Sequence, residues 1–214
     1  MRAFLKMAKL DFLTMKTQFF SYLSLVVIVL MFGFMKSSVI VLCITSAWFI
    51  ALQASNIFAI QEKNNLERLY GSVSVELNDI VLGRYAFMFL NYFISFLAVI
   101  VLNFGFSLYQ GITVNVSDIM LGFSLSFLIF SIITGIQMPL FFKMGYTKAK
   151  VWALLPFLIV MAVVVIPSFI TALSDLIQSI MVNQCAVIII SIMAGCVIEF
   201  MSYKIAVIAY RKRK

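Results

Sequence analysis

An all-α integral membrane fold with six crossing helices is what this sequence predicts, and three observations carry the prediction. Of 214 residues, 64% are apolar and only 11% are charged, too little polar surface to clothe a water-facing domain. Apolar stretches of the roughly 20 residues needed to cross about 30 Å of hydrocarbon recur along the whole chain. The cations between those stretches fall almost entirely on alternate connections. A soluble protein with a cleaved leader is excluded, because apolar segments continue to the end. The N-terminus also lacks a leader's pattern, with charges running to Lys16 and no small-residue cleavage site.

Six stretches qualify as spans: residues 19–35, 39–60, 80–108, 119–142, 151–170 and 179–203. Only Lys36-Ser37-Ser38 separates the first two, which makes a tight turn. The whole chain, 1–214, therefore reads as a single transmembrane domain. Its connections set the orientation, because Lys and Arg concentrate on the cytoplasmic side. The N-terminal segment, the second connection (counted with Arg84), the fourth connection and the tail hold fifteen of the sixteen cations, and the other side has only Lys36. Both termini are expected in the cytoplasm.

Residues 1–18 precede the first span. On a helical wheel Arg2, Lys6, Lys9 and Lys16 share one arc, with Phe4, Met7, Ala8, Phe12 and Met15 opposite. That is the pattern of a helix lying in the headgroup layer. Asp11 falls inside the apolar arc and is expected to reach a neighbouring helix. The third connection, 109–118, is short and external. The fifth, 171–178, follows Pro167, contains Asp175, and is a candidate for a segment that dips back into the membrane, tolerated only where protein shields it.

The spans contain little charge. Glu199 is expected to pair with Lys204 or reach the headgroups. Deep polar residues are uncharged: Asn91, Ser95, Asn103, Gln53 and Gln137. Ser131 with Gly135, and Ser191 with Gly195, have the spacing of close helix contacts. A proton- or sodium-driven pathway normally needs ionisable groups near the midplane, so the energy is expected from elsewhere. The chain has no histidine, which removes the Ser-His-Asp triad and the metalloprotease helix. Cys43, Cys185 and Cys196 lie in apolar runs without metal-ligand spacing and read as packing residues.

The longest polar interval is 61–85, QEKNNLERLYGSVSVELNDIVLGRY, with Glu62, Glu67, Glu76 and Asp79, half of the chain's acidic residues. Every other cytoplasmic segment is basic, as a surface facing anionic lipid should be; an acidic one suits a protein partner. Leu66, Leu69, Tyr70 and Val73 follow i, i+3, i+4, i+7 spacing. Glu62, Lys63, Asn64, Glu67 and Arg68 cover the remainder, and Gly71 supplies a stop. A short amphipathic helix is expected, whose ridge docks a partner or folds back on the protein's own base.

In this stretch Glu62, Leu66-Glu67-Arg68 and Asp79-Ile80-Val81-Leu82-Gly83-Arg84-Tyr85 resemble a pattern of ABC-type export permeases of the second exporter class. The likeness is to their small six-span, half-size branch, which includes bacterial phenol-soluble-modulin and antimicrobial-peptide exporter permeases. There the segment commonly reads E…LER…SLPVSRxDIVLGRY. The specific part covers about 25 residues, and the architecture covers the whole chain. Val73-Ser74 replace the family's Leu-Pro, and Glu76, Leu77 and Asn78 its serine and basic pair.

The resemblance implies an N-terminal interfacial helix and a cytoplasmic coupling helix between spans two and three, in segment 61–79. It implies a non-catalytic permease subunit in a bacterial cytoplasmic (inner) membrane, with no cofactor of its own. ATP and Mg would be used by a separate ABC ATP-binding subunit, in keeping with the absence of a G-x-x-x-x-G-K-[ST] phosphate loop here. That subunit would grip Glu62, Lys63, Leu66, Glu67, Arg68, Leu69 and Tyr70, while Asp79, Arg84 and Tyr85 couple the grip to span three. A second permease half, identical or a sister, would complete the pathway within membrane lipid. Nucleic acid is not an expected partner. The branch exports amphipathic peptide toxins or confers resistance to membrane-active peptides and antibiotics. The 22 phenylalanines and 13 methionines suit an apolar or amphipathic cargo, or simply lipid contact and packing.

Rival readings differ in kind. The substrate-capturing subunit of a vitamin-uptake transporter would show polar and aromatic ligands clustered near its external half. A membrane-embedded enzyme would need catalytic groups in a span, and a channel would need a charged ring or filter-like repeat.

Overall fold

The computed structural model describes residues 3–15, 19–66, 76–111, 113–165 and 183–213. Among them there is no strand. The helices are α1 (Ala3–Met15), α2 (Phe19–Phe34), α3 (Val39–Lys63), α4 (Leu77–Gln110), α5 (Val116–Met144), α6 (Tyr146–Ala149), α7 (Leu155–Val165) and α8 (Gln184–Arg213), with a 3-10 turn at Trp152–Leu154 before α7. Helices α3, α4, α5 and α8 are each long and apolar enough to cross a membrane. The expected first and fifth spans coincide with the shorter apolar helices Phe20–Phe34 and Trp152–Val163. The expected dipping segment at 171–178 lies outside the described residues.

The helix ends follow from local chemistry. Lys36, at φ 58°, closes α2 as its N–H bonds to Gly33 O and that of Ser37 to Phe32 O. This is the tight turn expected between the first two spans. Asn65, at φ 51°, ends α3, helped by the tolerance of asparagine for left-handed backbone. Gly145, at φ 76°, turns the chain sharply from α5 into α6, a conformation in which a Cβ is strained.

Helix α5 is the centre of the bundle, with α8 along one flank and α3 along another. The small residues noted in the sequence make this approach possible. A Cβ on Gly195 would lie 2.7 Å from the Phe127 ring, and one on Gly135 would lie 2.6 Å from Ile198 Cγ2. Helix α4 packs on α3 and α8 and carries α1 on its side, while α2 sits at the edge against α3 and α4. Aromatic rings fill the spaces between them: Phe58 lies 4.9 Å from Phe141, Phe142 5.2 Å from Tyr210, and Tyr92 4.8 Å from Phe130. Such pairs add about 0.5–1.5 kcal/mol each beyond burial. Phe20, Phe34, Leu97, Val101, Met193 and Phe200 are exposed instead, the outward apolar surface that a span presents to lipid. Of the cysteines only Cys43 is packed inside; Cys185 and Cys196 are exposed.

The charge partition read from the sequence has a counterpart in space. Lys63, Lys143, Lys148 and Arg213 lie at one end of the bundle, where α3, α5 and α8 finish and α6 begins. Lys36 and Asp118 line a common cavity at the opposite end. We call the first the basic end.

Candidate functional site

At the basic end α4 begins with Asp79 in its first turn, where a carboxylate complements the positive helix terminus. Five residues on, Arg84 is 1% exposed. Its Nε donates to Asp11 Oδ2 of α1 at 2.8 Å, and its guanidinium carbon stands 4.7 Å from the centre of the Phe58 ring. Asp11 is likewise 1% exposed. Burial raises its carboxyl above the ordinary range, and the neighbouring guanidinium opposes that shift. The expectation that Asp11 reaches another helix is met. Met7, one turn earlier, is buried beside it, whereas Phe12 and Leu13 face outward. One face of α1 therefore packs on protein.

The next residue, Tyr85, is buried too. Its hydroxyl shares a 2.5 Å hydrogen bond with Ser202 Oγ of α8, and its ring meets Tyr203 edge-on at 5.8 Å. Consecutive residues of α4 thus grip two different helices, α1 through Arg84 and α8 through Tyr85. Because Ile80, Val81 and Gly83 are also buried, the entry of α4 is the best-held part of the polar interval.

Glu62 is exposed but occupied. Its Oε2 accepts from the backbone N–H of Tyr146 at 2.7 Å and of Thr147 at 3.2 Å, and its Oε1 accepts from the Thr147 hydroxyl. Gly145 brings this turn close: a Cβ there would lie 3.2 Å from Glu62 Oε2 and 3.3 Å from an Arg213 guanidinium nitrogen. The ends of α3, α5, α6 and α8 meet around one carboxylate.

The expected single helix carrying Glu62, Lys63 and Leu66 is corrected. Glu62 and Lys63 belong to the last turn of α3, and the turn at Asn64 and Asn65 separates them from Leu66. Leu66 is half-buried against the protein's own apolar core, and Lys63 is exposed. Glu67, Arg68, Leu69, Tyr70, Gly71 and Val73 lie outside the described residues.

A second correction concerns Glu199. It is not paired with Lys204, whose ammonium stands 4.5 Å from the centre of the Phe200 ring. Glu199 is buried, and its Oε1 accepts from Thr134 Oγ1 of α5 at 2.6 Å. Spacing explains the difference. Five residues turn a helix by about 500°, so positions 199 and 204 face apart. Thr134, Thr147, Ser202 and Phe58 carried no signal of these roles in the sequence, since each acts across a distant contact. Among the described residues no three His, Cys, Asp or Glu side chains gather as metal ligands would.

These features define a class: a multi-pass helical membrane protein whose polar interval ends in a firmly seated helix entry. A family model described as ABC-2 family transporter protein matches residues 6–211. The chain belongs to that family, a family of ABC transporter permeases that are generally non-catalytic transport components and normally work with an ATP-binding subunit. No curated protein and no solved structure matches it.

Proposed function

We propose that this chain is the permease subunit of an ATP-driven exporter in a bacterial cytoplasmic membrane, with both termini in the cytoplasm. Two permease halves, identical or paired with a sister, enclose the pathway. ATP and Mg are used on the separate ATP-binding subunit, which docks on Glu62, Lys63, Leu66, Glu67, Arg68, Leu69 and Tyr70. The cargo is an amphipathic peptide or a hydrophobic toxin or antibiotic taken from the inner leaflet.

The observation that carries this reading is the double grip of Arg84 on α1 and Tyr85 on α8 at the end of the polar interval. A push that reaches the start of α4 meets a helix entry held on two sides, by α1 and by α8. Asp79, Arg84 and Tyr85 then act as the rigid continuation of the docking segment. Self-packing of Leu66 and Glu62 is compatible with docking, because Glu62 and Lys63 keep exposed surface.

Co-purification of the chain from its native membrane tests the proposal, with identification of any ATP-binding subunit that accompanies it and ATPase measurement on the complex. The subunit is expected to come down with the wild-type chain and to be released by Leu66→Asp or by charge reversal at Glu62 and Glu67. Full association and transport in those variants would remove the docking role from this segment.

A further inference from the structure

At the end of the bundle opposite the basic end, two opposite charges share one cavity without pairing. Lys36, in the turn between α2 and α3, and Asp118, in the first turn of α5, both line a space of about 300 Å3. No ion pair joins them, and among the described residues neither side chain has a hydrogen-bond or ion-pair partner elsewhere. The rest of the wall mixes polar side chains, such as Asn103 and Asn115, with apolar ones. Packing holds that wall in place. Gln110 Nε2, at the end of α4, donates to Gly33 O of α2 at 3.1 Å. The Phe106 ring leaves no room for a Cβ on Gly33 and meets Phe34 edge-on at 5.2 Å.

Lysine is an unfavourable choice at position 36 on two local counts. Its backbone is left-handed, at φ 58°, where glycine is the usual residue of a helix C-terminus and a Cβ is costly. It is also the only cation on its side of the charge partition, whereas lysine and arginine favour the other side. A residue that breaks local rules in this way points to a role for its side chain. A simple ion at this place would satisfy one of the two charges and be repelled by the other. A zwitterion satisfies both.

We infer that this cavity binds a zwitterion that offers an anionic oxygen to Lys36 and an ammonium to Asp118, and that its occupant is the phosphoethanolamine headgroup of a membrane lipid. The volume lies at the lower limit for small-molecule sites, which suits a headgroup and not a whole lipid. The place fits as well, because the cavity sits where the membrane-crossing helices α3, α4 and α5 begin or end, the level of the headgroups. Lys36 supplies attraction to the phosphate, and Asp118 supplies discrimination against headgroups that carry no cation. The inference stands apart from the exporter reading, since it needs neither a cargo nor an ATP-binding partner.

The full chain in detergent micelles is titrated with short-chain phosphatidylethanolamine and, separately, with phosphatidylglycerol of the same chain length. Bound lipid is read by native mass spectrometry. Phosphatidylethanolamine should bind more tightly by about two- to fivefold, the worth of one partly exposed charge pair. Asp118→Asn should abolish that preference, because the ammonium loses its partner and the anionic lipid loses its repulsion. Lys36→Gly should weaken both lipids while raising the thermal midpoint, since glycine relieves the left-handed backbone. Glycerophosphoethanolamine, the headgroup without acyl chains, separates the sources: displacement means that a soluble zwitterion also fits, and failure to displace assigns the site to membrane lipid. Equal binding of the two lipids, a preference that survives Asp118→Asn, or binding untouched by Lys36→Gly would overturn the inference.

Discussion

Two carboxylates are buried among the described residues, and they are accommodated differently. Asp11 of α1 meets a guanidinium, Arg84 Nε at 2.8 Å. Glu199 of α8 meets a hydroxyl, Thr134 Oγ1 at 2.6 Å, and its second oxygen has no partner. The first arrangement holds a separate, 13-residue helix against the bundle. The second is a single contact in a long seam already closed by Gly135 and Gly195. A paired charge fixes position only while both members stay; a seam with many small contacts shares its load.

The largest effect should come from breaking the pair. Arg84→Leu leaves Asp11 buried without its counter-charge, and removing one member of such a pair costs about 3–5 kcal/mol. Thermal unfolding in detergent should show the loss, and adding Asp11→Leu should restore most of it. A double variant no better than the single would mean the pair is not what attaches α1. Next come the seam glycines. Gly195→Leu drives a side chain into Phe127, and overpacking of this kind costs about 1–3 kcal/mol, read in the same unfolding assay. The smallest change belongs to Glu199→Gln. It retains the oxygen that accepts from Thr134, so the loss should stay near the worth of one hydrogen bond, about 1 kcal/mol. Should Glu199→Gln unfold the protein as readily as Arg84→Leu, the distinction between the two carboxylates collapses.

The helices themselves were legible in the sequence because hydropathy reports burial in lipid or protein alike. Long apolar runs appear as α3, α4, α5 and α8, and Asp11 stood out as a charge on the wrong arc. The small-residue pairs at 131/135 and 191/195 marked close helix contacts, and the structure places both Gly135 and Gly195 in the α5–α8 seam. What the sequence concealed is partner identity across helices. Arg84 counts as a topology-setting cation in a connection, since a charge tally treats any arginine near a span end as water-facing. It is in fact inside the second turn of α4. Glu62 reads as part of an amphipathic face, yet its ligands are the backbone of Tyr146 and Thr147, 84 and 85 residues away. Backbone donors leave no mark on residue type, so no pattern in the sequence announces them.

The Asp11–Arg84 bond has a further consequence. An amphipathic helix held by lipid alone rides at a depth that headgroup composition and curvature set. Helix α1 is bolted to α4 through a buried pair, so its height is a property of the polypeptide. Changes in lipid mixture that would lift or sink a free amphipath leave α1 at the level where Arg84 stands.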